Sequence, residues 1–288
     1  MNASGSEART ALVTGASRGI GKGIAISLAR AGYDVAITAR TVAEGDPTSV
    51  APENGLRLPG SLSTTAAEIE ALGRRAVSIP MDLLELEALP TAVDTAIAGL
   101  GGRLDVVVNN AIYVGVGSNL RFADTPVDNL IKRVTANVTA QLIITQHALQ
   151  HMLARVDAGG HGGTFCNLTS DAGQHTPTAP IGEGGWALSY AVTKAGFHQI
   201  ADMLVVEYAD RGIRAFNVNP GYVATERVVA AGAELDFVSR FGITPAVVGI
   251  AIAHLIDDPT VRNGSFVHAL DRARQLGLLP AQQPISRT

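Results

Sequence analysis

Residues 10–21 read TALVTGASRGIG, and this stretch decides the fold class. A short β-branched run leads into a turn with Gly15, Gly19 and Gly21, which opens the helical segment GIGKGIAISLARAG. Glycine lets a backbone approach a ligand closely, and a helix N-terminus attracts anions through its free N–H groups and its dipole. The turn therefore indicates a pyrophosphate-binding loop. A plain tight turn is the alternative, because the spacing differs from the Gly-x-Gly-x-x-Gly fingerprint.

The alternation of a short apolar run with a longer Ala/Leu-rich segment continues along the chain. Strands are predicted near residues 10–15, 34–39, 76–81, 104–111, 163–170, 214–220 and 265–270. Helices are predicted at 19–31, 64–73, 85–99, 126–156, 187–211 and 244–257. Thr65 and Glu68 have the spacing of a capping box for the second helix. The pattern predicts an α/β fold: a single Rossmann-type doubly wound domain (1–288, core about 9–270), with a seven-stranded parallel sheet and helices on both faces.

Three irregular segments and a tail interrupt this pattern. Segments 41–63 and 171–186 are rich in Pro, Gly and polar residues, and loops of this length are usually functional or mobile. Segment 221–243 contains enough apolar residues to fold over a cleft as a short helical lid on the substrate. The tail, 271–288, is expected to be a C-terminal surface extension.

The composition excludes several functional classes. The chain has 288 residues, of which 47% are hydrophobic and 17% charged, enough apolar mass for a covered sheet. A net charge of −4, without any Lys/Arg run, argues against a nucleic-acid partner. No signal sequence is evident, and no segment offers the ~20 uninterrupted apolar residues that a membrane span needs. With Cys166 as the only cysteine, we expect a soluble cytoplasmic protein in which this thiol is buried and inert.

The end of the second predicted strand bears on the choice of cofactor. About 20 residues beyond the glycine turn, an Asp or Glu would bind the ribose 2′-hydroxyl of NAD. The strand instead ends in AITAR, which places Arg40 there, and Arg18 lies inside the glycine turn. Guanidinium groups pair well with a 2′-phosphate, so the two arginines predict NADP(H). The alternative is a pair of solvated surface arginines.

A second motif, SYAVTKAG at 189–196, places Tyr190 and Lys194 four residues apart on one face of a helix. Reduction of a ketone needs a hydride on carbon and a proton on oxygen. A free tyrosine, with a pKa of about 10, exchanges its proton slowly near neutral pH, and a pKa near 7 requires roughly 4 kcal/mol in favour of the phenolate. A nearby ammonium and an oxidised nicotinamide both favour the phenolate. The pair therefore predicts a proton donor and the cation that tunes it.

With TGASRGIG, the NNA of 109–111, Asn137, Ser170 and YAVTK in this order, the chain resembles the classical short-chain dehydrogenase/reductase family from about residue 9 to 270. Segment 41–63 and the following STTAAEIEALG more faintly resemble a hydroxysteroid dehydrogenase-like branch. The resemblance implies an NADP-dependent oxidoreductase acting on a carbonyl or secondary alcohol of a small, largely apolar substrate, in a homotetramer or homodimer. Alternatives on the same scaffold are a C=C or imine reductase, an epimerase, and a non-enzymatic NADP-binding regulatory or scaffold protein.

The resemblance also implies roles for individual residues. Tyr190 would be the general acid/base, and Lys194 would bind the nicotinamide ribose and lower the tyrosine pKa. Ser170 would hold the substrate oxygen, Asn137 would support a water leading to the lysine, and Asn109 would brace a strand. Contacts with the cofactor are implied for Gly15, Ser17, Arg18, Gly19, Ile20, Gly21, Arg40, Asp82 near the adenine, Leu83, Asn110, Ala111, Tyr190, Lys194, Pro220, Gly221, Val223 and Thr225.

The chain departs from the family pattern near the expected substrate pocket. Ile112 stands where the family usually has a glycine after Asn-Asn-Ala. Ser170 and Tyr190 are so far apart in sequence that 171–186 must loop out, and we expect this loop to form part of the pocket wall. Within it, His175 is either a substrate contact or a solvated histidine. Apolar lining or ordinary packing is open for Ile112, Tyr113, Trp186, Tyr222 and Phe237. The histidines show no metal-ligand spacing on one face, so no metal is predicted.

Overall fold

The computed structural model describes residues 8–51, 55–230 and 242–279. Its strands are β1 (Thr10–Thr14), β2 (Asp34–Ala39), β3 (Ala76–Pro80), β4 (Val106–Asn109), β5 (Thr164–Leu168), β6 (Arg214–Asn219) and β7 (Phe266–His268). They form one parallel sheet in the order β3-β2-β1-β4-β5-β6-β7. The predicted seven-stranded parallel sheet is confirmed, and each strand lies within its predicted range.

The helices follow the predicted alternation, with two additions and one interruption. They are α1 (Gly19–Arg30), α2 (Leu62–Glu70), α3 (Leu89–Gly99), α4 (Val127–Val134), α5 (Ala140–Asp157), α6 (Leu188–Tyr208), α7 (Glu226–Ala230), α8 (Pro245–Asp257) and α9 (Ala269–Gln275). The short helix α7 lies within 221–243, where a short helical lid was predicted, whereas α9 was not predicted. The single helix expected at 126–156 is instead α4 and α5, joined by a π-helical turn at Thr135–Thr139.

The N-terminus of α2 differs from the sequence prediction. Ser61 is the N-cap: its hydroxyl accepts a hydrogen bond from the Thr64 backbone N–H at 3.2 Å, and the Thr64 hydroxyl accepts one from the Ser61 N–H at 3.1 Å. The predicted capping box of Thr65 and Glu68 is therefore wrong. The Thr65 hydroxyl instead donates to the Ala16 carbonyl at 2.9 Å, and Glu68 pairs with Lys22. These contacts fasten α2 to the glycine turn and to α1.

Two hydrophobic cores cover the faces of the sheet. Helices α1, α2, α8 and α9 pack on one face, and α3, α5 and α6 pack on the other. Helices α1 and α8 touch through glycines, because a Cβ at Gly249 would lie 2.2 Å from the Gly23 carbonyl oxygen. The predicted surface extension begins within α9, whose Ala273 is fully buried, and residues 280–288 lie outside the described residues. No helix in the described part of the chain is long and apolar enough to cross a bilayer.

The strand order determines where a ligand can bind. The sheet grows from β1 through β2 to β3 on one side and from β4 to β7 on the other, so the crossover direction reverses between β1 and β4. In open α/β sheets, ligands bind in the crevice beyond the carboxyl ends of the strands at such a switch point. The glycine turn follows β1 and therefore lies at this crevice.

Candidate active site

The glycine turn after β1 is coiled so tightly that side chains are excluded. Gly15 and Gly19 have φ angles of +69° and +58°, which favour glycine. A Cβ at Gly21 would lie 2.3 Å from the Gly15 carbonyl oxygen. Any other residue at Gly21 would push the start of α1 away from the turn, so the sequence GASRGIG brings the helix N-terminus directly to the crevice.

The carboxyl ends of β1 and β4 are fastened to one another beside this turn. The Thr14 hydroxyl accepts hydrogen bonds from the backbone N–H groups of Asn110 and Ala111, at 2.9 and 3.0 Å. The Asn110 amide donates to the Thr14 carbonyl at 2.8 Å. Asn109 lies deeper, and its amide donates to Asn167 on β5, consistent with the predicted brace. The Asn-Asn-Ala stretch thus fixes one wall of the crevice.

The crevice is a cleft of about 330 Å³. Its lining includes Gly15, Ser17, Arg18, Gly19, Ile20, Gly21, Arg40, Asp82, Leu83, Asn110, Ala111 and Thr225, all of which the sequence predicted. Tyr190, Lys194, Pro220, Gly221 and Val223 were predicted as well but are not part of this lining. The other lining residues are Thr38, Ala39, Thr41, Met81, Ile112, Tyr113, Val114, Glu226 and Arg227. Of these, only Ile112 and Tyr113 were predicted, as possible apolar lining of the substrate pocket. The positions of Thr38, Ala39, Thr41, Met81 and Val114 at or after the ends of β2, β3 and β4 could have indicated them.

Arg18 and Arg40 both line the cleft, but their surroundings differ. Arg18 Nε donates to the Pro59 carbonyl at 2.9 Å, and Nη2 donates to the Gly60 carbonyl at 2.7 Å. Burial lowers the pKa of Arg18, and the charge of nearby Arg40 contributes to the same shift. Arg40 is more exposed, with its Nη1 4.0 Å from an Asp82 carboxylate oxygen. The irregular segment 41–63 therefore holds one of the two cations in place.

Ser170, Tyr190 and Lys194 come together at the carboxyl end of β5. Lys194 is buried, and its Nζ donates to the carbonyl of Leu168, the last residue of β5, at 2.6 Å. The same Nζ lies 5.9 Å from the centroid of the Tyr190 ring. A hydrogen bond joins the side chains of Ser170 and Tyr190. The long gap between Ser170 and Tyr190 in sequence is closed in space.

Asn137 lies in the π-helical turn between α4 and α5. Its side-chain oxygen accepts from the Tyr113 backbone N–H at 2.7 Å, and its amide nitrogen donates to the Tyr113 carbonyl at 3.0 Å. This side chain therefore pairs with the backbone of a cleft residue. Single π-helical turns within α-helices occur frequently at functional sites.

Comparison with known proteins identifies the family. Residues 9–54 and 56–236 match the sequence profile described as short chain dehydrogenase. The chain belongs to the short-chain dehydrogenase family. A similar relative, at 33% identity over 76% of this chain and 74% of its own length, is an L-rhamnose 1-dehydrogenase (NAD(P)(+)) from Sphingomonas sp. (strain SKA58).

Solved structures of short-chain dehydrogenases agree with this fold. One from Burkholderia cenocepacia J2315, in complex with NADP, is 30% identical, with a TM-score of 0.71 over 90% of this chain and 95% of that one. A 3-oxoacyl-[acyl-carrier protein] reductase from Brucella melitensis, in complex with NAD, is 26% identical, with a TM-score of 0.74 over 92% and 96%. The predicted family, fold and enzyme class are confirmed: the protein is an oxidoreductase that uses a nicotinamide cofactor.

The site of this short-chain dehydrogenase combines burial with positive charge. Burial raises the pKa of Tyr190, whereas the hydrogen bond from Ser170 and the charge of Arg133 lower it. Burial lowers the pKa of Lys194 to about 8. The lysine therefore stays mostly protonated at pH 7 and loses its proton only as the pH rises through about 8. The tyrosine depends on its neighbours for any phenolate character.

Arg133 is a residue near Tyr190 that sequence reasoning missed. It is 4% exposed, and its Nη1 donates to the Ser189 hydroxyl at 2.7 Å, next to Tyr190 in sequence. Its Nε donates to the Val114 carbonyl at 3.1 Å. In the described part of the chain, no carboxylate lies within ion-pair distance of Arg133. Its charge is therefore available to Tyr190, and no sequence motif of the short-chain dehydrogenases indicated it.

The start of the insertion 171–186 packs against helix α6. A Cβ at Gly173 would lie 2.8 Å from the Lys194 carbonyl oxygen. Farther along, Glu183 pairs with Arg121 at 3.3 Å. His175 is exposed and Trp186 is half-buried. Among the other predicted apolar lining residues, Ile112 and Tyr113 line the cleft, Tyr222 is exposed outside it, and Phe237 lies outside the described residues.

Proposed function

We propose that this short-chain dehydrogenase transfers a hydride between NADP(H) and a carbonyl or secondary alcohol of a small, largely apolar substrate. The observation that carries the proposal is the cluster of Ser170, Tyr190 and Lys194 at the carboxyl end of β5. A phenol hydrogen-bonded to a hydroxyl, with a buried amine nearby, is suited to move one proton to or from a substrate oxygen. The family membership makes hydride transfer the partner reaction.

The cleft fits a nicotinamide dinucleotide at its glycine turn. A Cβ at Gly15 would lie 2.9 Å from the Ala111 backbone, so the turn leaves its N–H groups, and not side chains, to face an anion. One carboxylate opposes this fit, because Glu226 on α7 has a buried oxygen 3.6 Å from where a Cβ at Gly19 would be. Glu226 lies within the predicted lid, 221–243, and would turn away when a pyrophosphate binds.

In the proposed reaction each residue has a separate task. When bound, the nicotinamide supplies or accepts the hydride at the substrate carbon. Ser170 orients the substrate oxygen through its hydroxyl, and Tyr190 gives its phenolic proton to that oxygen in reduction or accepts it in oxidation. The charge of Arg133 favours the phenolate that remains. Lys194 would hold the nicotinamide ribose, and Asn137 would keep the Tyr113 segment against the cleft.

The arginines predict a preference for NADPH over NADH. Arg40 is exposed enough to meet a 2′-phosphate, and the hydrogen bonds of Arg18 to Pro59 and Gly60 fix its guanidinium at the same cleft. A charge-assisted hydrogen bond contributes ~1.5–3 kcal/mol, so two such contacts imply a tenfold or greater preference in kcat/KM. Arg40→Asp should abolish or reverse this preference, since a carboxylate repels the phosphate and accepts the ribose 2′-hydroxyl of NADH.

The comparison requires kcat/KM with each cofactor for the parent protein and the variants. Arg262→Asp makes the same change of charge at an exposed position outside the cleft and should keep the parent's preference. Equal kcat/KM with NADPH and NADH in the parent protein would show that the arginines do not select the 2′-phosphate.

The insertion 171–186 is expected to affect substrate selection and not cofactor binding. Its start packs on the backbone of α6 at Lys194, and its far part is tied to Arg121, so it remains beside the reacting groups. Replacing 175–183 by two glycines should leave the NADPH dissociation constant nearly unchanged. The same variant should change KM values across a panel of ketones and aldehydes. Unchanged KM values for the whole panel would mean that the insertion is not part of the pocket.

We also propose that the protein acts as a homo-oligomer in the cytoplasm. Helices α4, α5 and α6 expose large apolar side chains, which are Val127, Ile131, Val134, Leu142, Leu188, Val192, Met203 and Val206. Exposed apolar patches of this kind support contact with another protein surface. Cys166 is free and fully buried, and burial raises its pKa, which supports a reducing compartment and an inert thiol.

A further inference from the structure

Two histidines and an aspartate meet at the outer surface of the α3 and α5 layer. His147 and His151 are four residues apart on α5, and both Nε2 atoms lie 2.8 Å from the same carboxylate oxygen of Asp94 on α3. The sequence interpretation that the histidines lack metal-ligand spacing on one face does not hold for this pair. None of the three residues lines the cofactor cleft.

We propose that Asp94, His147 and His151 bind a divalent transition-metal ion, with Zn²⁺ as the best-fitting ion, and that this ion ties α3 to α5. Their three ligand atoms all lie within 4.8 Å of one another. Zinc bonds of about 2.0–2.2 Å in a tetrahedron place neighbouring ligand atoms about 3.3 Å apart. The two separations from histidine nitrogen to Asp94 oxygen are 2.8 Å, and no separation exceeds 4.8 Å, so small rotations of the side chains suffice to admit an ion.

The side chains have the freedom and the charge that such a site needs. Their exposed fractions are 24% for His147, 42% for His151 and 53% for Asp94, so no packed core resists the rotation. An aspartate carboxylate is ionised at neutral pH, so the cluster offers one negative charge to a cation. Two imidazoles and one carboxylate form a ligand set that suits Zn²⁺, with a fourth position open to water.

A direct hydrogen bond is the competing explanation for the cluster. One Asp94 oxygen can accept an N–H from each ring, which would link the two helices without any ion. The two explanations make different predictions. A hydrogen-bonded cluster does not change with added metal, whereas an ion that binds the folded protein raises its thermal stability as its concentration rises.

The test uses the full chain without a histidine tag, treated with EDTA and dialysed into a buffer that does not bind metals. Calorimetric titration with ZnCl₂ should show one equivalent bound, and the melting temperature should rise by several degrees in excess Zn²⁺. MgCl₂ should produce neither effect, because Mg²⁺ prefers oxygen ligands in an octahedron. Absence of a saturable one-equivalent isotherm with ZnCl₂ would overturn the proposal.

Variants assign the binding to these residues. His151→Ala and Asp94→Asn should each weaken Zn²⁺ binding at least tenfold, since loss of even an outer-shell partner typically weakens metal binding about 10–100-fold. Both substitutions are at partly exposed positions, and their melting temperatures without metal provide the check on folding. His161→Ala removes an exposed histidine outside the cluster and should bind like the parent. Equal affinity in all three variants and the parent would place the ion elsewhere and overturn the assignment.

Discussion

Replacing Tyr190 by Phe will lower kcat by about 10²–10⁴-fold, the usual contribution of a positioned general acid or base. The substitution removes the phenolic proton but leaves the ring in place beside Lys194, whose Nζ lies 5.9 Å from the ring centroid. The residues that line the cofactor cleft do not include Tyr190, so the dissociation constant for NADPH should stay close to that of the parent. Chemistry and cofactor binding are therefore expected to separate in this variant.

The two quantities are measured by steady-state turnover of a reducible ketone and by fluorescence titration with NADPH. Tyr208→Phe is the matched control, because Tyr208 ends the same helix and lies outside the cleft. It should keep parental turnover. If the Tyr190→Phe protein retained more than about a tenth of parental kcat, the proton would have to come from another donor. Tyr190 would then not be the general acid.

The environment of Tyr190 explains why its proton can be mobile. Burial alone holds the phenol in its neutral form, and two neighbours act against burial: the Ser170 hydroxyl and the Arg133 guanidinium. Arg133 also spans from the Val114 carbonyl to the Ser189 hydroxyl, so it links the segment after β4 to the start of α6. The same cation thus contacts the start of α6 and favours negative charge on Tyr190.

The sequence predicted the fold from features that are local in the chain. A parallel strand buried on both faces reads as a continuous apolar run, as in β1, where all five residues are buried. The glycine turn was predictable because Gly15 and Gly19 adopt positive φ angles that other residues rarely tolerate. In both cases the structure of a short segment is determined by residues within that segment.

The features that the sequence did not predict depend on contacts between distant segments. Arg18 donates hydrogen bonds to the carbonyls of Pro59 and Gly60, about 40 residues later in the chain. Every residue type has a backbone carbonyl, so the sequence does not indicate which carbonyls accept these bonds. In the sequence, Arg133 resembles any other basic residue on a helix, because its burial near Ser189 depends on tertiary packing. The spacing of His147 and His151 was visible, but their partner Asp94 belongs to another helix.

Replacing Lys194 by Met is expected to abolish activity and to increase the free energy of unfolding at pH 7. Burial lowers the pKa of this lysine to about 8, whereas in an unfolded chain it is about 10.4. Below pH 8 the folded protein must keep a buried ammonium, which costs about 3 kcal/mol for a difference of this size. Methionine removes that cost, but it leaves the Leu168 carbonyl without its donor, a loss of about 1–3 kcal/mol.

The difference in stability between the Lys194→Met variant and the parent should depend on pH. Between about pH 8 and 10.4 the unfolded parent binds more protons than the folded parent, so this lysine makes the parent more stable as pH rises. The methionine variant has no such group, and its advantage in melting temperature should shrink across that window and reverse near pH 10.

Lys132→Met, at an exposed lysine paired with Asp128, is the control. It should show neither inactivation nor this change of relative melting temperature between about pH 8 and 10.4. A melting-temperature difference between the Lys194→Met variant and the parent that stayed constant from pH 7 to 10 would contradict a buried ammonium at Lys194. In that case solvent or a partner would have to maintain the charge of Lys194, and the lysine would stay a full cation near Tyr190 across this pH range.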